Sequence, residues 1–350
     1  MRLAQRSSAW SLARCVLALP AVLVLLVSCA SAQPRIATAV VPRPASAPAV
    51  RSKLIPTPHR QWLNLAYAAR SSYEQLDLYL PVQRTAQPKP PGLVVYVHGG
   101  GWLEPGNVKA NLVSQTFASF LLSSGYAVAS VNYRLSTQAP FPAQIQDVKT
   151  AVRWLRAHAR YYGYNPGEIA AFGDSAGGQL VALLATSQGV PALEGASLGY
   201  PRVSSSIKAA VVFYPVINLL AVQGWLSQIP FCTGKYQNPD LPGSAASKYL
   251  GAPVQTVPGR AKAADPMTYL TPGRPVPKFL IAQGMRDCTV PYQGAIEFYK
   301  ALVKFAGPSA AELILEPTAG HFSPPTEVNF NFTELEQPSL KLLRETIGPG

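Results

Sequence analysis

Ile169-Ala170-Ala171-Phe172-Gly173-Asp174-Ser175-Ala176-Gly177-Gly178 is the stretch from which the rest of the chain can be read. Ile169 to Phe172 is a short continuous apolar run, the pattern of a buried strand. Ala176 to Ser187, rich in Ala and Leu, reads as a helix. Between them, Ser175 has a glycine two residues to either side. A turn this tight strains the serine backbone, and side chains at the flanking positions would collide with it. The hydroxyl of Ser175 is thereby held out at the N-terminus of the following helix. Ser175 is the expected nucleophile.

Upstream, the β-rich run Leu93 to Val97 leads into His98-Gly99-Gly100-Gly101-Trp102. Acyl transfer builds negative charge on an oxygen, and preorganised backbone N–H groups stabilise it; losing one such donor typically costs about 3–4 kcal/mol. Glycines allow the backbone to come that close. The expected donors are Gly100, Gly101 and Ala176, ahead of Gly99. The loop lacks the Lys and Ser/Thr of a phosphate-binding loop. His98 precedes the serine and is expected to shape this loop rather than to act as the base.

Downstream, the chain order serine, acid, histidine locates the remaining partners. Of four histidines, His59 falls in a Pro-rich stretch and His158 in a helical stretch, where a solvated face is expected. His321, in Ala319-Gly320-His321-Phe322 after the last predicted strand, is the expected base. Asp287, in Gly284-Met285-Arg286-Asp287-Cys288, follows the predicted strand Phe279 to Ala282 and is the expected acid, orienting His321. Asp240 and Asp265 are the competing candidates. Asp147 reads as a structural hydrogen-bond partner, and Asp174 points the wrong way for a triad.

Around these motifs, short apolar runs alternate with amphipathic stretches. Further strands are predicted at Trp62 to Ala66, at Leu76, Leu78 and Leu80, at Tyr126 to Val131, Ala209 to Phe213 and Leu313 to Leu315. Helices are predicted at Ala143 to Tyr162, Val290 to Phe305 and Gln337 to Ile347. The pattern implies an α/β domain over 59–350, with a mostly parallel eight-stranded sheet and helices on both faces. Residues 218–264, rich in Gly, Pro and Ser, break the rhythm and read as an irregular lid or cleft-wall insertion.

The chain has 350 residues, 48% of them hydrophobic, 13% charged, with a formal net charge of +13. That is ample material for one large core. The positive balance favours solubility or an anionic surface or polymer. No Lys/Arg run is interleaved with aromatics, so nucleic acid is not an expected partner. No Cys or His pair has ligand spacing, so neither metal nor cofactor is expected.

Arg2, Arg6 and Arg14 precede the apolar run Val16 to Val27, which small residues follow: the layout of a secretory signal over 1–32. An uncleaved anchor is the alternative. Cleavage after Ala32 would release a periplasmic or extracellular protein. Leu26-Val27-Ser28-Cys29 also resembles a bacterial lipobox, which would make Cys29 a lipid anchor. Six prolines in 33–58 read as an extended linker. Cys232 and Cys288 remain in the exported domain, either paired in a disulfide or as buried thiols.

Together, His98 to Trp102, Asn132-Tyr133-Arg134-Leu135, Gly173 to Gly178 and Asp287 to Pro291 resemble the hormone-sensitive-lipase-like and feruloyl-esterase-like (BD-FAE-type) branch of the α/β-hydrolases. The resemblance spans roughly Leu76 to Phe322. It implies an α/β-hydrolase fold and a carboxylester hydrolase working through an acyl-enzyme without metal, its triad on Ser175, Asp287 and His321 and its oxyanion motif on His98 to Gly101. Trp102 is similar to the residue after the glycines of kynurenine formamidases. Members with a helical cap have more sequence before the first strands. A Pro-rich linker stands there instead, which disfavours long-chain lipids. Expected substrates are small or short-acyl esters, including polymer-linked ones. An amidase or formamidase on the same triad and a non-catalytic binding protein on the same fold are the alternatives.

Overall fold

The computed structural model describes residues 60–82, 89–103, 112–234, 238–321 and 332–349. The expected leader with Cys29, the Pro-rich stretch and His59 lie outside the described residues. Eight strands form one sheet: β1 (Arg60–Ala66), β2 (Gln75–Leu80), β3 (Leu93–Val97), β4 (Ala127–Val131), β5 (Ile169–Asp174), β6 (Ala209–Phe213), β7 (Lys278–Gly284) and β8 (Ala311–Glu316). Their order is β1-β2-β4-β3-β5-β6-β7-β8. β1 with β2 and β2 with β4 pair antiparallel, and the pairings from β4 through β8 are parallel.

The helices are α1 (Leu112–Ser123), α2 (Ala143–Tyr162), α3 (Ser175–Thr186), α4 (Pro191–Glu194), α5 (Val222–Ser227), α6 (Ala245–Leu250), α7 (Pro258–Ala264), α8 (Tyr292–Ala306) and α9 (Phe332–Thr346). Strand periodicity divides the apolar residues between two layers. Leu93, Val95 and Val97 of β3 face one core with Val148, Leu180 and Phe298 of α2, α3 and α8. Val94 and Tyr96 face the other, with Leu121 of α1 and Leu340 of α9. Every residue of β3, β4, β5 and β6 is buried. Each fully buried Val or Leu is worth about 1.5–3 kcal/mol, which explains why these strands read as continuous apolar runs.

Three features differ from the sequence expectation. Helix α1 follows the glycine loop, where no helix was predicted. Residues 218–264 are not irregular throughout: they fold into α5, α6 and α7 with 3-10 turns at Pro230–Cys232 and Val254–Thr256. Each helix is six or seven residues, too short to show a periodic signal. Local chemistry sets their starts, as where Ser244 Oγ caps α6 by accepting from Ser247 N and Pro258 opens α7. His158 is not on a freely solvated face: it stacks on Trp154 at 4.2 Å and meets Tyr200 edge-on.

A buried ion pair fixes the region between β4 and α2. Asp147 Oδ1 accepts from Arg134 Nη2 at 2.6 Å, and its Oδ2 accepts from Arg134 backbone N at 2.8 Å. Asp147 thus has the structural role read from its position.

Candidate active site

The C-terminal ends of β3, β5 and β7 converge on one place. Ser175 opens α3 with φ +53°. A residue with a side chain is strained in that left-handed region and persists there only when its surroundings enforce it. The flanking glycines are what make room. A Cβ at Gly173 would stand 2.5 Å from Gly177 O, one at Gly177 would strike the carbonyls of Val97 and His98, and one at Gly178 would stand 3.0 Å from Phe213 O. The backbone of α3 therefore closes directly onto β3, β5 and the end of β6.

His321 Nε2 lies 3.1 Å from Ser175 Oγ, and His321 Nδ1 lies 2.7 Å from Asp287 Oδ2. Asp287 is fully buried. Its Oδ1 accepts from the backbone N–H groups of Thr289 and Val290, each at 2.8 Å, and its Oδ2 also accepts from Gln283 Nε2 at 3.2 Å. With Nδ1–H donated to Asp287, Nε2 is left as the acceptor facing the serine hydroxyl. The Tyr214 ring packs edge-on against the imidazole at 4.7 Å. Such a chain can draw a proton from Ser175 and hold the resulting imidazolium.

The glycine loop runs alongside. A Cβ at Gly99 would fall 2.6 Å from Asp174 Oδ2 and 3.2 Å from Ser175 Cβ. Gly100 (φ +88°), Gly101 (φ +59°) and Trp102 (φ +57°) then turn the chain away in three consecutive left-handed steps. The first amide after Ser175, that of Ala176, belongs to the start of α3. His98 is buried, its Nδ1 2.8 Å from Gly99 O and its ring stacked on Tyr133 at 4.3 Å. Tyr133 Oη donates to His98 O at 2.9 Å. Burial pushes the His98 imidazole down to about 4, so it is neutral and serves the shape of the loop.

The other candidate acids are engaged elsewhere. Asp174 Oδ1 accepts from Tyr96 Oη at 2.7 Å, and burial pushes its carboxyl up to about 6. Asp265 Oδ1 accepts from Met267 N at 2.9 Å, and Asp240 sits beside Gln255.

The segment 218–264 is fastened at both sides of this site. Cys232 and Cys288 are joined, their Cα atoms 5.2 Å apart, so the turn at Pro230–Cys232 is tied to the residue after Asp287. The Arg286 guanidinium lies over the Phe231 ring at 4.9 Å beside that bond. On the other side, Tyr249 of α6 stacks on Trp102 at 4.2 Å, the planes 7° apart. Gln179 of α3 accepts from Trp102 Nε1 at 3.3 Å and donates to Ala264 O at 2.7 Å. Sequence reading quoted Tyr133 within a motif and did not find Gln179, Tyr249, Tyr96 or Gln283. Most of their partners lie dozens of residues away, and a lone Gln or Tyr on an apolar face carries no local signal.

A family model described as BD-FAE matches residues 76–302, well over half of the chain. The chain belongs to the BD-FAE family. Among curated relatives, the esterase LipQ of Mycobacterium tuberculosis is 28% identical over 75% of this chain and 58% of its own length. The chain spans about half the length of the curated relatives it matches. A solved structure described as a truncated carbohydrate esterase from gut microbiota superposes with TM-score 0.69 at 26% identity, covering 82% of this chain and 98% of that one. The bifunctional GH43-CE protein of Bacteroides eggerthii gives TM-score 0.69 at 29% identity, over 81% of this chain and 38% of that one. With the observed strand order, these likenesses establish the α/β-hydrolase fold for this BD-FAE member.

Proposed function

We propose that the protein is a serine carboxylester hydrolase acting on small or short-acyl esters, with Ser175 as nucleophile, His321 as general base and acid, and Asp287 as the orienting acid. The observation that carries this reading is the continuous line Ser175 Oγ to His321 Nε2 (3.1 Å) and His321 Nδ1 to Asp287 Oδ2 (2.7 Å) beside the glycine loop. Ser175 Oγ attacks the ester carbonyl as its proton passes to His321. The oxyanion of the tetrahedral intermediate is met by the N–H groups of Gly100, Gly101 and Ala176. The intermediate collapses, the C–O bond to the alcohol breaks, and His321 returns the proton to the leaving alcohol. Water, activated by the same histidine, then hydrolyses the acyl-enzyme.

The esterase names of the relatives support the reaction, and the carbohydrate-esterase descriptions of the structural neighbours support an acyl group carried on a sugar or polymer. The test is turnover of p-nitrophenyl esters of increasing acyl length, alongside acetylated oligosaccharides and an anilide, by the protein and its Ser175→Ala variant. Ester turnover that the variant lacks is expected. Turnover undiminished without Ser175 would refute the assignment. Export is part of the same reading, supported by the signal-like layout of 1–32 and by a cysteine pair suited to an oxidising space. Among the described residues no helix is long and apolar enough to cross a membrane. N-terminal sequencing of the protein recovered from its producing cells distinguishes a start after Ala32 from a lipidated Cys29.

A further inference from the structure

We infer that Gln179 is a positioning residue that sets the spacing between the two halves of the oxyanion site. This rests on the serine hydrolase reading above. Gln179 lies one turn beyond Ser175 on α3, so it moves with the helix that carries the Ala176 amide. The glycine loop contributes the other donors, and it ends on Trp102, a bulky residue at φ +57°. That conformation is costly for tryptophan and survives only if the side chain is held. The indole is buried and stacked on Tyr249, and its Nε1–H is donated to Gln179 Oε1 at 3.3 Å. Tyr249 Oη reaches the same oxygen at 3.4 Å, while Gln179 Nε2 donates to Ala264 O at 2.7 Å.

One buried amide thus joins four elements: the nucleophile helix, the strained end of the glycine loop, α6 and the end of α7. The segment 218–264 reaches the oxyanion site through this amide. Ala245 of α6 makes a further contact, since a Cβ at Gly101 would come within 3.2 Å of its methyl group. Donors act on a transition state only when they are placed within a fraction of an ångström, so a loosened turn costs kcat more than substrate binding.

The test uses the full-length protein and p-nitrophenyl butyrate. Gln179→Met keeps the volume and removes both hydrogen-bonding functions. Its expected signature is a kcat lower by about 10–100-fold with KM within about twofold of wild type. A role in stability alone would lower the melting temperature and leave the kcat of the folded protein untouched; kcat within about twofold of wild type overturns the inference. Gln179→Glu is nearly isosteric and keeps the two acceptor contacts. When ionised it loses the donation to Ala264 O, and when protonated it regains a donor. Burial raises a carboxyl pKa, which brings this change into the assay range. The ratio of its kcat to that of wild type is expected to rise at least about threefold from about pH 8 to about pH 5.5. A flat ratio overturns the inference, and this arm decides alone if the methionine variant does not fold. A wild-type protein with no ester turnover would bring down the hydrolase reading and this inference with it. An active wild type with indifferent Gln179 variants brings down the inference only.

Discussion

Asp287 receives two backbone N–H groups on one oxygen, and the Gln283 amide and the His321 imidazole on the other. All of these donors suit a carboxylate and fewer suit an amide. In Asp287→Asn the NH₂ group would face a donor, either reversing the His321 tautomer or breaking its hydrogen bond. On the proposed mechanism, kcat for ester hydrolysis falls by about 10³–10⁴-fold with little change in KM, measured by steady-state kinetics. His98 predicts a different signature. Its folded-state pKa is lowered to about 4 by burial, against an ordinary value of 6.5. Between those values the unfolded chain binds the proton and the folded chain does not, so this residue's contribution to stability grows as pH rises through that window and is lost on acidification. His98→Gln removes the titration. Relative to wild type, the variant should gain about 2–3 kcal/mol on going from about pH 7.5 to about pH 4.5, read from urea midpoints. A difference independent of pH would contradict the burial argument. The three side chains that the fold brings together, Ser175, Asp287 and His321, are legible as residues, because each follows a strand and two stand in glycine-marked turns. Gln179 and Tyr249 were not, because their importance comes from partners 70 to 85 residues away.

At the scale of elements, the elbow is where sequence and packing agree most closely. Gly177 is required because the backbone of α3 touches the end of β3, with the carbonyls of Val97 and His98 occupying the space a Cβ would need. Gly177→Ala should therefore fail to give soluble folded protein. Gly99→Ala meets the Asp174 carboxylate and the Ser175 side chain instead, and should fold with activity reduced at least about tenfold. Circular dichroism together with esterase assays separates the two outcomes. Strands β3 and β6 and helix α2 could be read to the residue, since full burial on both faces or a long amphipathic repeat leaves a plain signal. The short helices of 218–264 could not, since their order comes from docking. The Cys232–Cys288 bond closes a loop of 56 residues between that segment and the acid turn. Replacing both cysteines by serine should cost about 2–4 kcal/mol of stability by urea unfolding. Unchanged stability would mean that the packing of Ile229 and Tyr292 around the pair suffices.

For the molecule as a whole, one sheet with two apolar layers sets the frame, and the loops at the carboxyl ends of β3, β5, β7 and β8 carry the proposed site residues. Ligands in open parallel sheets bind at that edge, so the site lies where the topology directs it. The frame depends on a few buried charges as well as on apolar contact. Asp147 is fully buried and joined to Arg134 through both side-chain and backbone donors. Asp147→Ala takes away the closest partner of the guanidinium and leaves Glu74 Oε1 at 3.6 Å as its acidic neighbour; it should cost about 3 kcal/mol in urea unfolding while leaving the pH profile of activity in place. The property proposed for this frame is that it makes one serine nucleophilic. Its most direct test is labelling of the native protein with a fluorophosphonate, followed by peptide mapping. A single adduct on Ser175 is expected, absent from His321→Ala and from denatured protein. An adduct on another residue, or labelling that persists in Ser175→Ala, would contradict it.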